Sequence, residues 1–303
     1  MQADIQWPKK TREILNWAMD STYWNDFVFR DDDVIIGTWQ KAGTTWVQQI
    51  IAQFIFEGET EGLPIGDMSP WLDFRLPPLP EKLPGVEAQT HRRFLKTHLP
   101  LDALRFEPKV KYIYIARDGR DCAWSQYNHH FALNDLAYES LNALPEVGPR
   151  LPRPRTDDIR EYYLDWFNGD GAPFWPFWEN IRTWWPARDL PNVYFLHFQN
   201  LVDDMEGQMR KIGDFLEIPV DESKWEKMVH QCTFNYMKNN ATLSTPLGGI
   251  LFEGGAKSFV NKGTNDRWRD TLSADDIAAY ETRAIAEVGP ECAHWLETGK
   301  FLE

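Results

Sequence analysis

Residues 35–48 read Ile-Ile-Gly-Thr-Trp-Gln-Lys-Ala-Gly-Thr-Thr-Trp-Val-Gln, and this stretch decides the fold. The apolar run Val34–Ile36 stops at Gly37, and helical spacing begins near Thr44, with Val47, Ile50, Ile51 and Phe54 on one face. A strand that feeds a helix through such a turn aims backbone N–H groups, hydroxyls and the helix N-terminus at one spot, where a phosphate fits. In the usual nucleotide-triphosphatase loop the lysine directly follows the last glycine and precedes Ser or Thr. Here Lys41 stands two residues before Gly43, so the turn is a relative of that loop and not a copy. Taken alone, it reads equally well as a strand–turn–helix corner with a solvated lysine.

Working outward, residues 10–29 carry Ile14, Leu15, Trp17, Ala18, Trp24 and Phe27, which predict an amphipathic helix followed by a turn. The Pro-rich segment Leu63–Pro84 reads as a surface loop holding Trp71 and Phe74. Arg93–Lys96 reads as a short strand leading into Thr97-His98-Leu99-Pro100. Lys111–Ala116 is a strong β run, with a helix from about Asp118 to Phe131. Leu144–Thr156 is a second loop, Asn192–Phe198 a further strand, and Leu201–Leu216 a helix. Residues 239–265 are glycine-rich loop, and a final helix begins at Ser273. Strands alternating with helices predict an α/β fold: one domain over residues 1–303, with a central, mainly parallel sheet flanked by helices.

The net charge of −14 argues against a nucleic-acid wrapper, whose footprint is basic. It leaves room for a small anion, which needs only a few local cations. Fifteen Trp and eighteen Phe can line an apolar pocket as well as fill a core. Cys122, Cys232 and Cys292 are too far apart for a Cys-x-x-Cys site, so neither a disulfide framework nor a metal is expected. The first residues lack a signal-peptide core, and no run of about 18 apolar residues offers a membrane span. Cytoplasmic residence is the expectation.

Two further segments are built to receive anions. After the strand Lys111–Ala116, Arg117 offers a permanently charged planar fork, and Ser125 lies two turns into the following helix. Phe259–Arg269, inside the glycine-rich loop, can fold over a ligand and offer backbone amides and Lys262 to an anion. Each has an ordinary reading as well, surface ion pairing for Arg117 and a mobile loop for Lys262.

In this order the segments resemble the cytosolic sulfotransferase family, over about residues 30–270. The resemblance implies a single P-loop nucleotide-hydrolase-like domain. It implies 3′-phosphoadenosine 5′-phosphosulfate as co-substrate, no metal, and a small acceptor alcohol, phenol or amine. Lys41-Ala42-Gly43-Thr44-Thr45-Trp46 looks like the 5′-phosphosulfate loop, and Arg117 with Ser125 matches the 3′-phosphate motif. Lys96-Thr97-His98 looks like the segment of the catalytic histidine. Cys232-Thr233-Phe234 through Met237 resembles the adenine-contacting segment, and Asn261-Lys262-Gly263 the C-terminal motif. Asn261 stands where the family usually has Arg, which leaves Lys262, Arg267 or Arg269 to replace it. Phe198 stands where the family has an adenine-side Tyr, and a hydroxyl contact is lost. The dimerisation segment is poorly matched by Arg269–Ala278, so a homodimer is left open.

Sulfuryl transfer builds negative charge on the leaving bridging oxygen, which makes Lys41 the candidate cation there. His98, with an ordinary pKa of about 6.5, suits general-base work on the acceptor hydroxyl, and Lys96 the sulfonyl oxygens. Trp46 and Phe234 are the adenine-flanking rings that the resemblance implies. Of His129 and His130, adjacent on a helix, one is expected to line the acceptor pocket. Trp71, Phe74, Tyr127, Phe131 and Trp175 are further pocket candidates. A nucleotide-dependent kinase and a non-catalytic nucleotide-binding module stand as the alternatives.

Overall fold

A computed structural model of the chain describes residues 5–145 and 147–302. Its centre is one four-stranded sheet: β1 (Val34–Gly37), β2 (Phe94–Thr97), β3 (Lys111–Ala116) and β4 (Val193–His197). The spatial order is β2-β1-β3-β4 and every pairing is parallel. Parallel strands are covered on both faces, so they read as continuous apolar runs. Successive side chains still go to opposite layers. Ile35, Leu95, Tyr112 and Tyr114 join an aromatic layer with Trp166, Trp178 and Trp184. Val34, Ile36, Phe94, Ile113 and Ile115 join an aliphatic one. Most of the tryptophans are spent on that first layer, as core.

The helix α1 (Thr44–Ile55) follows β1 and buries Val47, Ile50, Ile51 and Phe54 in the aliphatic layer, the face its spacing predicts. The helix Gly119–Ala132 follows β3 in the same way. At the end of β1, Gly37 lies under Trp184: a Cβ there would come 2.5 Å from the indole ring. The final helix, Ala274–Thr298, begins where expected, on a capping box between Ser273 and Asp276, and is interrupted at Gly289.

Four expectations need correction. Residues 10–29 form no α-helix, only a 3-10 turn at Ser21–Trp24, because their amides pair with other segments. Thr11 N–H donates to Asp102 and Asp20 N–H to Asp73. The span Leu201–Leu216 is two helices, Phe198–Asp203 and Met205–Leu216, separated at Asp204, whose side chain caps the second. The Pro-rich segment is not plain surface loop. It holds the short helices Ile65–Met68 and Leu79–Glu87, and Trp71 pairs alongside Lys96 at the sheet edge. Within 239–265, the expected loop contains short helical turns such as Ala256–Phe259.

The starts of β1 and β2 are tied by a buried ion pair. Arg93 Nε donates to Asp33 Oδ1 at 2.7 Å, and both side chains are almost fully buried. Removing the guanidinium leaves a buried carboxylate unpaired. Arg93→Met is therefore expected to cost about 3–5 kcal/mol, read as a lower urea midpoint with an unchanged slope.

Candidate active site

In a parallel sheet of this order, the crevice at the carboxyl ends opens where the connections from the central strand diverge, between β1 and β3. The level register sets Gly37 opposite Thr97 on one side and Tyr114 on the other. The segments leaving β1, β2 and β3 therefore emerge together, carrying Lys41, His98 and Arg117.

The turn after β1 needs backbone that most residues avoid. Gly43, the N-cap of α1, has φ +116°, and a Cβ there would lie 2.8 Å from Ile115 and 2.9 Å from Phe198. A glycine cap also offers no side chain to the helix amides. The N–H groups of Thr44 and Thr45 make no hydrogen bond among the described residues. They are open to an anion. Lys41 has φ +67°, the left-handed region, and its side chain keeps part of its surface towards the cavity.

His98 is held from two sides. Its Nδ1 lies 2.9 Å from the Thr38 carbonyl oxygen, which only accepts, so Nδ1 carries the hydrogen and Nε2 the lone pair. Asn180 donates to the carbonyls of His98 and Leu99 at 3.0 and 3.2 Å, fixing the backbone. The imidazole packs edge-on to Trp71 and along Trp175. Burial, then the charge of Lys96 and also that of Lys41, push its pKa down to about 3. Lys96 is buried and its ammonium makes no hydrogen bond or ion pair among the described residues. Burial lowers its pKa to about 8, against the pull of Asp67 and Asp73. Lys41 falls to about 7 through burial and the like charges of Arg117 and Lys96. These cations stay in place at a cost to themselves, which is the signature of a site that waits for negative charge.

Arg117 lies over the ring of Phe198, 4.2 Å from its centroid, and Phe198 in turn meets Trp46 edge-on. Its guanidinium donates to the Lys41 carbonyl at 3.3 Å, the Thr264 carbonyl at 2.8 Å and Asn265 Oδ1 at 2.7 Å. Two of its five N–H donors remain. The ordinary reading of Arg117, pairing with Asp118 or Asp121, does not hold. Arg120 takes Asp118 instead, and Asp121 accepts from the Asp266 amide. The loop from Asn261 is thus clamped on Arg117. It also rests on Phe234, where a Cβ at Gly263 (φ +65°) would come 2.7 Å from the ring.

One cavity of about 710 Å³ receives nearly all of these groups. Lys41, Gly43, Thr44, Thr45, Trp46, Lys96, His98, Arg117, Ser125, Phe198, Phe234, Asn261, Lys262 and Gly263 all line it. Ala42 and Thr233 do not. Ala42 is buried beneath the turn, and Thr233 caps the helix that carries Phe234. Of the aromatic candidates Trp71, Phe74 and Trp175 form its wall, whereas Tyr127 and Phe131 lie outside it. His129 lines it, and His130 is turned to Tyr162 and the Pro152 carbonyl. Arg267 lines it too, with no hydrogen bond or ion pair among the described residues, while Arg269 pairs with Asp266 outside. Nothing in the sequence singled out Thr38 or Asn180, whose parts exist only once the strand ends meet. Among the described residues no three His, Cys, Asp or Glu side chains gather for a metal, and no helix is long and apolar enough to cross a membrane.

The sulfotransferase domain matches residues 31–285, and the chain belongs to that family of 3′-phosphoadenosine 5′-phosphosulfate-dependent enzymes. A glycolipid sulfotransferase of Mycobacterium bovis is 26% identical, over 93% of this chain and 92% of its own length. Human sulfotransferase 1C2 is 28% identical, over 84% and 81% respectively. In fold the chain is similar to retinol dehydratase, solved with androsterone and the inactive cofactor PAP. The TM-score is 0.69 at 22% identity, covering 86% of this chain and 81% of that one.

His98 is expected to be neutral throughout the working range of an enzyme. In nitrogen NMR spectra of the protein alone, Nε2 should carry no hydrogen at pH 6, and protonation should come only as the pH falls towards about 3. The unfolded chain takes up that proton near pH 6.5, so acidification between those limits favours unfolding.

Proposed function

We propose that this enzyme moves a sulfonyl group in line from 3′-phosphoadenosine 5′-phosphosulfate to the hydroxyl, or amine, of a small apolar or aromatic acceptor. One observation carries the reading. Lys41, Lys96, Arg117 and the open amides of α1 face one cavity beside a neutral His98, in a chain of net charge −14. The donor's 5′ end fits the turn Lys41–Thr45, where the buried Ala42 and the glycine cap bring backbone close. Arg117 with its two spare donors, and Ser125, suit the 3′-phosphate. Arg267, unpartnered and beside Arg117, supplies the charge that Asn261 lacks. Trp46, Phe198 and Phe234 offer ring faces for the adenine, with Thr233 holding the Phe234 helix. Lys262 and Gly263 close the loop above.

His98 accepts the acceptor's proton at Nε2, the atom that the Thr38 hydrogen bond leaves free. Its basicity is poor because it is buried and because Lys96 and Lys41 repel the imidazolium. Anionic donor oxygens between those lysines cancel the repulsion, so the base strengthens once the donor is seated. Lys41 meets the charge that develops on the bridging oxygen, and Lys96 that on the sulfonyl oxygens. At the far end Trp17, Phe74, Leu141, Phe174 and Phe252 give an apolar wall. Such a wall suits an acceptor as apolar as androsterone or the tail of a glycolipid, and not a sugar polymer. The three buried, free thiols suit a reducing cytoplasm.

The test is transfer from labelled donor to a panel of apolar alcohols, phenols and amines. His98→Ala is expected to lower turnover about 10²–10⁴-fold while leaving nucleotide binding intact. Transfer to no acceptor, together with equal binding of ATP and adenosine 3′,5′-bisphosphate, would sink the reading in favour of a kinase or a binding module. Calorimetry checks the 3′-phosphate corner. Arg267→Ala should weaken adenosine 3′,5′-bisphosphate about tenfold and leave adenosine 5′-phosphate unchanged, as Arg269→Ala should for both.

A further inference from the structure

His129 lies one helical turn beyond Ser125, on the same face of the helix Gly119–Ala132, and belongs to none of the motifs that carry the family resemblance. Its Nδ1 is 3.4 Å from Lys41 Nζ. The same ammonium lies 4.5 Å from the centroid of Phe259, and the His129 ring packs against Phe252 and Phe259. Lys41 thus sits between an imidazole nitrogen and an aromatic face on the lining of the cavity. An ammonium has only donors, so Nδ1 is the acceptor in this contact. The other charges that face Lys41, those of Arg117 and Lys96, repel it. Burial, then Lys41, His130, His98 and Lys96, keep the His129 ring neutral and its lone pair available.

We propose that His129 is the positioning residue of Lys41: its Nδ1 accepts from the ammonium and, with Phe259 opposite, holds that charge at the boundary between the donor and acceptor halves of the cavity. The inference rests on reading Lys41 as the cation that meets the leaving oxygen. The left-handed backbone at Lys41 starts the side chain towards the cavity, and a flexible four-carbon stem needs a fixed end point to arrive in one place. An aromatic filler would need the ring alone. A positioning residue needs the nitrogen.

Two substitutions separate these roles. His129→Phe keeps the ring and removes the acceptor, and His129→Asn keeps an acceptor near the position of Nδ1 and removes the ring. Two readouts apply, the titration of Lys41 in the nucleotide-free enzyme by carbon NMR of labelled lysine, assigned with Lys41→Met, and the kcat and donor KM of transfer. In His129→Phe the ammonium loses its acceptor, so the Lys41 midpoint should fall by about 0.5–1 pH unit. Turnover should fall about 10–100-fold at little-changed donor KM. His129→Asn should restore both in large part. The proposal is overturned if His129→Phe leaves the midpoint or kcat unmoved, or if His129→Asn is no better than His129→Phe. Because the titration needs no turnover, a protein that transfers sulfonyl to nothing would fail the functional reading while the contact would still be decided.

Discussion

Everything at the site depends on the register of four parallel strands. Because β1 and β2 end level, and β3 runs past Tyr114 only to Ala116, three loops from distant parts of the chain open on one edge. Lys41 comes from the first, His98 from the second and Arg117 from the third. The register is protected from both ends. The buried Asp33–Arg93 pair ties the strand starts, and Gly37 lets Trp184 lie flat against the end of β1. A shift of one residue would exchange the aromatic and aliphatic layers and take the three loops out of reach of one another.

The second constraint is electrostatic. An acidic protein gathers Lys41, Lys96, Arg117 and Arg267 around one cavity and leaves two of them, Lys96 and Arg267, without a hydrogen-bonding or ion-pair partner among the described residues. Burial lowers the basicity of both lysines and of His98, and like charge lowers that of Lys41 and His98 further. An anion seated among these groups would offset the like charge felt by Lys41 and His98 together. The apolar wall beyond His98 raises the stakes, because charge is worth more where water is scarce.

Much of this was legible in one dimension. The strand–turn–helix at Lys41, the helix after Arg117 and the short strand before His98 are local, with apolar spacing that survives folding. What misled was long-range. Residues 10–29 have the apolar content of a helix, yet their amides find partners at Asp102 and Asp73. The Pro-rich segment looks like loop, yet Trp71 joins the edge of the sheet and walls the cavity. His129 was one of two adjacent histidines of equal standing, and only the direction of the helix face sends it to Lys41 and its neighbour to Tyr162.

Local chemistry along the chain is enough to set the class: the glycine turn off β1, the Lys96–His98 run, Arg117 with Ser125 at a fixed spacing and the loop from Asn261. Packing between distant segments settles that Lys262 and Arg267 line the cavity while Arg269 is taken by Asp266, and which ring nitrogen of His98 is free. Those are questions of direction and partnership between segments far apart in the chain. Spacing within one segment fixes which side chains share a face, but only packing fixes what that face meets.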